Sequence, residues 1–152
     1  MAKKLRFKNI DQLQEFLPRL IDTRHQNLGK WTTAQILFHL AAAFEGSIEG
    51  IGVGFPSWVR SLLRPFRWIV TRIKFPPWVP IPIDKLFPPE TAEFSEQYER
   101  LIKAIDRFVE YDEVHPDHPV LGKLTRSEWV GFHLRHCERH LSFIKMDDIR
   151  QE

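Results

Sequence analysis

The chain has 152 residues, 43% hydrophobic and 28% charged, which is enough to bury the core of one domain spanning residues 1–152. Its formal charge of +2 is too small to indicate a nucleic-acid-binding protein, and a single cysteine, Cys137, excludes an intrachain disulfide. The sequence has no run of about 18 apolar residues, and its charged N-terminus lacks the apolar stretch of a signal peptide. We therefore expect a soluble, cytoplasmic protein.

The first part of the chain predicts two helices. In "NIDQLQEFLPRLI" the apolar residues recur at helical spacing, with Asn9 as the N-cap and Pro18 as the point where the helix kinks. The second helix opens at Thr32, which forms the Thr-x-x-Gln pattern of a capping box with Gln35. Gly50 marks its end.

Two further helices are predicted in the second half. The third follows a pair of prolines and carries an apolar stripe at helical spacing: Phe94, Tyr98, Leu101, Ile105 and Phe108. The fourth opens with a second capping box, Thr125-x-x-Glu128, and runs towards Asp148. Since no segment alternates like a strand, we predict an all-α protein of four main helices.

A long connection between the second and third helices differs from the rest of the chain. Residues 54–89 contain eight of the eleven prolines and three of the five tryptophans, and five bases but no acid lie between Ile51 and Ile83. The stretch "SWVRSLLRPFRWIVTRI" predicts a basic amphipathic helix broken near Pro65, and "KFPPWVPIPIDKLFPP" predicts an extended, irregular segment.

Three interpretations of this connection remain open. We favour a lid over the mouth of the helical domain, with its tryptophans packed on the core, ahead of a homodimer contact. The third interpretation is contact with an anionic membrane surface, through aromatic and basic side chains together. The residues concerned are Trp58, Phe66, Trp68, Arg60, Arg64 and Arg67.

The stretch "HLRHCERHLSFI" in the fourth helix contains three histidines. At about 100° per residue, His140 lies roughly 40° and His133 roughly 60° from His136, beside an aliphatic stripe. A histidine pair at i and i+4 is typical of a metal site on one helix, although buried imidazoles can also be satisfied by backbone groups. By the same arithmetic, we expect Arg135 and Glu138 on the side that faces solvent.

His39, in the second helix, is a candidate third ligand. It lies among apolar residues, where an imidazole has little reason to occur unless it meets a partner inside the domain. Together with the pair on the fourth helix it would form a three-histidine site, which suits zinc, nickel or iron. His118 is interpreted as a residue that braces the turn before the fourth helix, or as a group facing the substrate near the metal.

The segments "WTTAQILFHLA" (Trp31 to Ala41) and "HPVLGKLTRSEWVGFHLRHCERHLSFI" (His118 to Ile144) resemble the two signature stretches of the DinB-like superfamily. Within it, the sequence is most similar to the domain-of-unknown-function family 1569, over nearly the whole chain. The resemblance implies an up-down-down-up four-helix bundle with a divalent metal ion, most simply zinc. The ligands it implies are His39, His136 and His140, whereas His133 has no ligand role in the family pattern and is a candidate for the surroundings of the metal.

The resemblance also implies a function. Characterised branches of the superfamily indicate a metal-dependent transferase, isomerase or hydrolase-like enzyme that uses a low-molecular-weight thiol with a small-molecule substrate. Arg60, Arg64 or Arg67 would then bind carboxylates of the thiol cofactor, and a homodimer is expected. The alternatives are a non-catalytic binding or stress-response module with a structural metal or none, and a peripheral membrane-associated protein.

Overall fold

The computed structural model describes residues 4–52, 54–72 and 83–147, with the side chains of 70–72 not described. Its helices and strands are, in order, α1 (Ile10–Phe16), β1 (Arg24–Asn27), α2 (Thr33–Glu49), α3 (Ser57–Leu63), α4 (Arg67–Arg72), α5 (Phe94–Glu110), α6 (Arg126–Leu141) and β2 (Ile144–Asp147). Single 3-10 turns occupy Leu17–Leu20, Arg64–Phe66 and Asp84–Leu86. The protein is therefore mostly helical, with one small sheet.

The predicted local signals are present at the ends of these helices. Asn9 caps α1 by accepting from the backbone of Gln12, and the helix changes to a 3-10 turn at the proline predicted to interrupt it. Both capping boxes are complete, because Thr32 at α2 and Thr125 at α6 each accept from a backbone N–H three residues on. After α2, the chain turns at Gly50, whose φ of 83° favours glycine.

Polar contacts fix the directions of the long helices. α2 and α5 run parallel, since two contacts advance together along both, Glu45 with Arg100 and Glu49 with Arg107. Gln35, in the first turn of α2, correspondingly meets Pro89, shortly before α5 begins. α6 runs antiparallel to α2, because His39 meets His136 whereas Ser47, two turns further along α2, meets His133. Leucine, isoleucine and phenylalanine side chains from these three helices and from α1 form one core.

The two-stranded sheet corrects the expectation of a protein without strands. β1 and β2 pair antiparallel, with Arg24 opposite Asp147 and Asn27 opposite Ile144. The predicted continuation of the last helix towards Asp148 is also wrong, since α6 ends at Leu141 and the chain enters β2. β1 is the polar sequence "RHQN", which lacks the apolar alternation typical of a strand.

One side of α6 is buried where solvent was expected. Arg135 is 4% exposed and Glu138 is fully buried, and the two side chains form an ion pair of 2.6 Å. The backbone of Phe7 completes the contact, because its N–H donates to Glu138 and its carbonyl accepts from Arg135. The N-terminal segment therefore covers this side of α6 and shields the ion pair from water.

The first part of the long connection is helical and packs on α6. α3 and α4 are separated by the 3-10 turn that contains Pro65, as the predicted break requires. Residues 74–82 of the predicted extended segment lie outside the described residues, and its remainder contains the 3-10 turn Asp84–Leu86. Trp58 and Trp68 are 70% and 53% exposed, so neither is buried in the core as the lid interpretation expected, and Trp78 lies outside the described residues. In the described part of the chain, no helix combines the length and apolar character needed to cross a bilayer.

We predict that Glu138→Ala destabilises the protein by about 3–5 kcal/mol, because it leaves the Arg135 guanidinium buried without its carboxylate. Urea denaturation followed by circular dichroism measures the change. The matched control is Glu49→Ala, which removes a pair with Arg107 that is more than half exposed and should cost less than about 1 kcal/mol. Equal losses in the two variants would contradict a stabilising role for the buried pair.

Candidate metal centre

Three histidines from two helices converge between α2 and α6. Ring nitrogens of His39, His136 and His140 all lie within 4.8 Å of one another, and each side chain is half-buried. The nearest pair is His39 Nε2 and His136 Nε2, 3.0 Å apart. One turn of α6 separates His136 from His140, so both imidazoles reach the same point opposite α2.

A backbone carbonyl sets the orientation of His39. Its Nδ1–H donates to the carbonyl oxygen of Leu86 over 2.7 Å, which leaves the Nε2 lone pair directed towards His136. Such a hydrogen bond on the far nitrogen is typical of histidines that bind metal. Two nitrogens at about 2.0–2.1 Å from one tetrahedral ion lie roughly 3.4 Å apart. The 3.0 Å between His39 and His136 is close to this value, and the three nitrogens, which lie within 4.8 Å of one another, would adjust their spacing on binding.

The surroundings favour neutral imidazoles. Burial lowers the pKa of His140 to about 3, and it lowers the pKa of His136 well below the usual range, assisted by the neighbouring His140 and His39. The pKa of His39 is also lowered by burial, against the opposing effect of its bond to Leu86. At neutral pH all three side chains therefore present unprotonated nitrogens, which is the form that binds a cation.

Aromatic rings line the site. Trp31 stacks on His140 with ring centroids 5.8 Å apart and planes 15° apart, and it also lies 5.0 Å from His39. Phe132 stacks on His136 at 5.5 Å, and Phe87 lies edge-on to Trp31 at 6.5 Å. The sequence did not single out Trp31 as a site residue, although its position directly before the α2 capping box places it at the entrance to that helix.

A second hydrogen-bonded contact between α2 and α6 lies next to the site. Ser47 donates its hydroxyl proton to the Phe44 carbonyl and so accepts from His133 Nε2 over 3.0 Å. The His133 ring is fully buried and stacks on Phe44 at 3.9 Å, and burial lowers its pKa well below the usual range. His133 therefore binds α2 one turn away from the converging histidines.

His118 braces the turn before α6. It is 3% exposed, and its Nδ1 accepts from the backbone N–H groups of Val120 and Leu121 at 3.1 and 3.2 Å. Its ring packs against Trp129 and Phe132, and burial lowers its pKa to about 3. Through Phe132, which stacks on His136, the braced turn contacts the wall of the site.

The predicted anion-binding arginines lie on the connection. Arg60 forms an ion pair of 2.9 Å with Asp117, and Arg67 forms one of 3.0 Å with Glu128, whereas Arg64 is exposed. Two of the three guanidinium groups therefore hold the connection against the region that leads into α6.

Other candidates for chemistry lie away from the three histidines. Glu45 and Glu49 pair with arginines of α5, at the opposite interface of α2. Cys137 is buried, which raises the pKa of its thiol. These contacts give the three side chains structural roles.

We predict that the acid sensitivity of folding depends on His118. The folded imidazole stays neutral down to about pH 3, whereas the unfolded one gains a proton below about pH 6.5, so stability is lost as the pH falls below 6.5. In His118→Asn the side-chain amide oxygen replaces Nδ1 as the acceptor for the backbone N–H groups of the turn, but the new side chain does not titrate. Between pH 7 and pH 5 this variant should lose about 2 kcal/mol less stability than the wild type in urea denaturation, and equal losses would contradict the assignment.

The whole chain was compared with known proteins. The family model described as "Protein of unknown function (DUF1569)" matches residues 1–147, which include both histidine-bearing helices. No curated protein and no solved structure matches the chain at a significant level. The chain therefore belongs to the DUF1569 family.

Proposed function

We propose that the chain is a metal-dependent enzyme of the DinB-like type, with one divalent ion held by His39, His136 and His140. The observation that carries the proposal is the convergence of three neutral imidazoles within 4.8 Å. The parallel pairing of α2 with α5 and the antiparallel pairing of α2 with α6 support an up-down-down-up bundle of α1, α2, α5 and α6. Zinc is the first expectation, since it favours nitrogen ligands, and nickel or iron are the alternatives.

The half-burial of the three ligands supports a catalytic role over a purely structural one. A structural zinc site is closed by four protein ligands, whereas a catalytic site keeps a position for water or substrate. Three histidines leave such a position, and each of them remains partly accessible. Trp31 and Phe132 flank two of the imidazoles and reduce the access of water, which strengthens electrostatic interactions at the ion.

The neighbours of the histidines support thiol chemistry. Among the described residues, the groups found beside the three imidazoles are aromatic rings, the Leu86 carbonyl and the guanidinium of Arg139, whose charge helps to lower the pKa of His140. These groups supply no acid or base, so a substrate that brings its own nucleophile fits the site. A bound divalent ion would hold a low-molecular-weight thiol as the thiolate at neutral pH.

The remaining expectations belong to the same proposal. Of the three predicted arginines, Arg64 is the first candidate to bind carboxylates of the thiol, because it is exposed, whereas Arg60 and Arg67 hold carboxylates of the chain itself. A small-molecule second substrate, a homodimeric assembly and a cytoplasmic location complete the proposed function. The non-catalytic module with a structural metal is the competing proposal, and activity measurements distinguish the two.

We predict that the tag-free wild-type protein binds about one zinc, nickel or iron ion per chain, and that His140→Ala loses it, because two ligands hold an ion much more weakly than three. Mass spectrometry of the metal content measures both. His25→Ala is the matched control, since His25 lies on β1 beside Phe94 and should leave the metal content unchanged. The absence of metal from all three proteins after incubation with excess ion would contradict the site.

We predict that the metal-loaded wild type consumes a low-molecular-weight thiol together with an electrophile, and that the rate saturates with the thiol concentration. Loss of free thiol is followed with a chromogenic reagent across a panel of thiols and aryl or alkyl halides. The rate should fall at least about 100-fold in His140→Ala, because the ion that stabilises the thiolate is missing. One bound ion without turnover across the panel would support the structural-metal alternative.

A further inference from the structure

The helical part of the connection is turned with its aromatic side outwards. Along α3, the following 3-10 turn and α4, the half-buried side chains that face the domain include Arg60 and Arg67. The side chains on the opposite face are large and apolar: Trp58 is 70%, Leu62 is 66% and Phe66 is 53% exposed. A water-soluble surface helix normally has the reverse arrangement, with its apolar face inwards.

Polar contacts hold this orientation. Arg60 pairs with Asp117 and Arg67 with Glu128, and the backbone N–H of Phe55 donates to the Pro119 carbonyl over 2.8 Å. These contacts attach the segment at its beginning, middle and end to the region before and at the start of α6. The aromatic face is therefore presented outwards by specific interactions of the folded chain.

The charge of the segment indicates what covers this face. From Ile51 to Ile83 the sequence contains five bases and no acid. Arg60 and Arg67 are neutralised by their ion pairs, whereas Arg64 is exposed beside the apolar residues and has no acid of this segment near it in sequence. In a homodimer through this face, two copies that each present Arg64 and no acid from the segment would meet and repel each other. An anionic surface is complementary instead, and tryptophan and phenylalanine beside arginine are the residues that enter the interface of an anionic bilayer.

We propose that Trp58, Leu62 and Phe66 dock the protein on an anionic lipid surface, with Arg64 at the level of the phosphate groups. Docking through this face leaves the histidine centre on the other helices of the domain untouched. The proposal does not require a bound metal, and it assigns Arg64 to lipid phosphates in place of the thiol carboxylates proposed above for the same side chain.

Sedimentation of the full chain with lipid vesicles tests the proposal. The wild type should sediment with vesicles of phosphatidylcholine and phosphatidylglycerol at 3:1, and much less with pure phosphatidylcholine or at high salt. The double variant Trp58→Ser/Leu62→Ser should bind at least about tenfold more weakly, because it removes two of the inserted side chains. Tryptophan fluorescence of the wild type should shift to the blue on anionic vesicles.

The matched control is Val109→Ser/Val114→Ser, which removes two apolar side chains that are 47% and 79% exposed in a different part of the surface. It should bind vesicles like the wild type. All four positions are exposed, so circular dichroism should show folded protein in both variants. Failure of the folded wild type to sediment with anionic vesicles would overturn the proposal, as would equal losses in the two double variants. A dimer that dissociates in Trp58→Ser/Leu62→Ser, without vesicle binding, would overturn it in favour of a second copy.

Discussion

The antiparallel contact between α2 and α6 is the constraint on which the candidate site depends. The Ser47–His133 hydrogen bond, together with the stacking of His133 on Phe44, fixes where the two helices face each other. His136 lies one turn after His133 on α6, and His39 lies two turns before Ser47 on α2. The same alignment of the two helices therefore places His136 opposite His39. A shift of one residue in either helix would rotate its histidine by about 100° and separate the imidazoles.

The contacts of α6 explain why its sequence is difficult to interpret as an ordinary amphipathic helix. One side holds the converging histidines, a second packs its aliphatic residues in the core, and a third buries the Arg135–Glu138 pair under the N-terminal segment. A charge on a helix usually indicates solvent, because a buried charge requires a partner. Here the partners are each other and, more than 120 residues away along the chain, the backbone of Phe7 and the guanidinium of Arg6.

The sequence predicts what depends on neighbouring residues and misses what depends on distant ones. The caps at Asn9, Thr32 and Thr125 and the break at Pro65 were correct, because each involves side chains within a few residues. The histidine spacing predicted their shared face for the same reason, and the apolar surroundings of His39 made it the candidate for the third position, which the resemblance also implied. The β1–β2 pairing was missed because strands of four residues, mostly polar, are defined only by the partner that the folded chain provides.

The long connection between α2 and α5 does more than join these two parallel helices. α2 and α5 each have 17 residues, or roughly 26 Å, a distance that about eight extended residues would cover. Residues 50–93 are several times more than that return requires. Near the end of the connection, Leu86 fixes the tautomer of His39 and Phe87 packs beside Trp31, and near its start Arg60 holds the segment to the domain. Without its last part, the connection would lack the carbonyl that orients His39, so this part of its length belongs to the candidate site as well as to the surface.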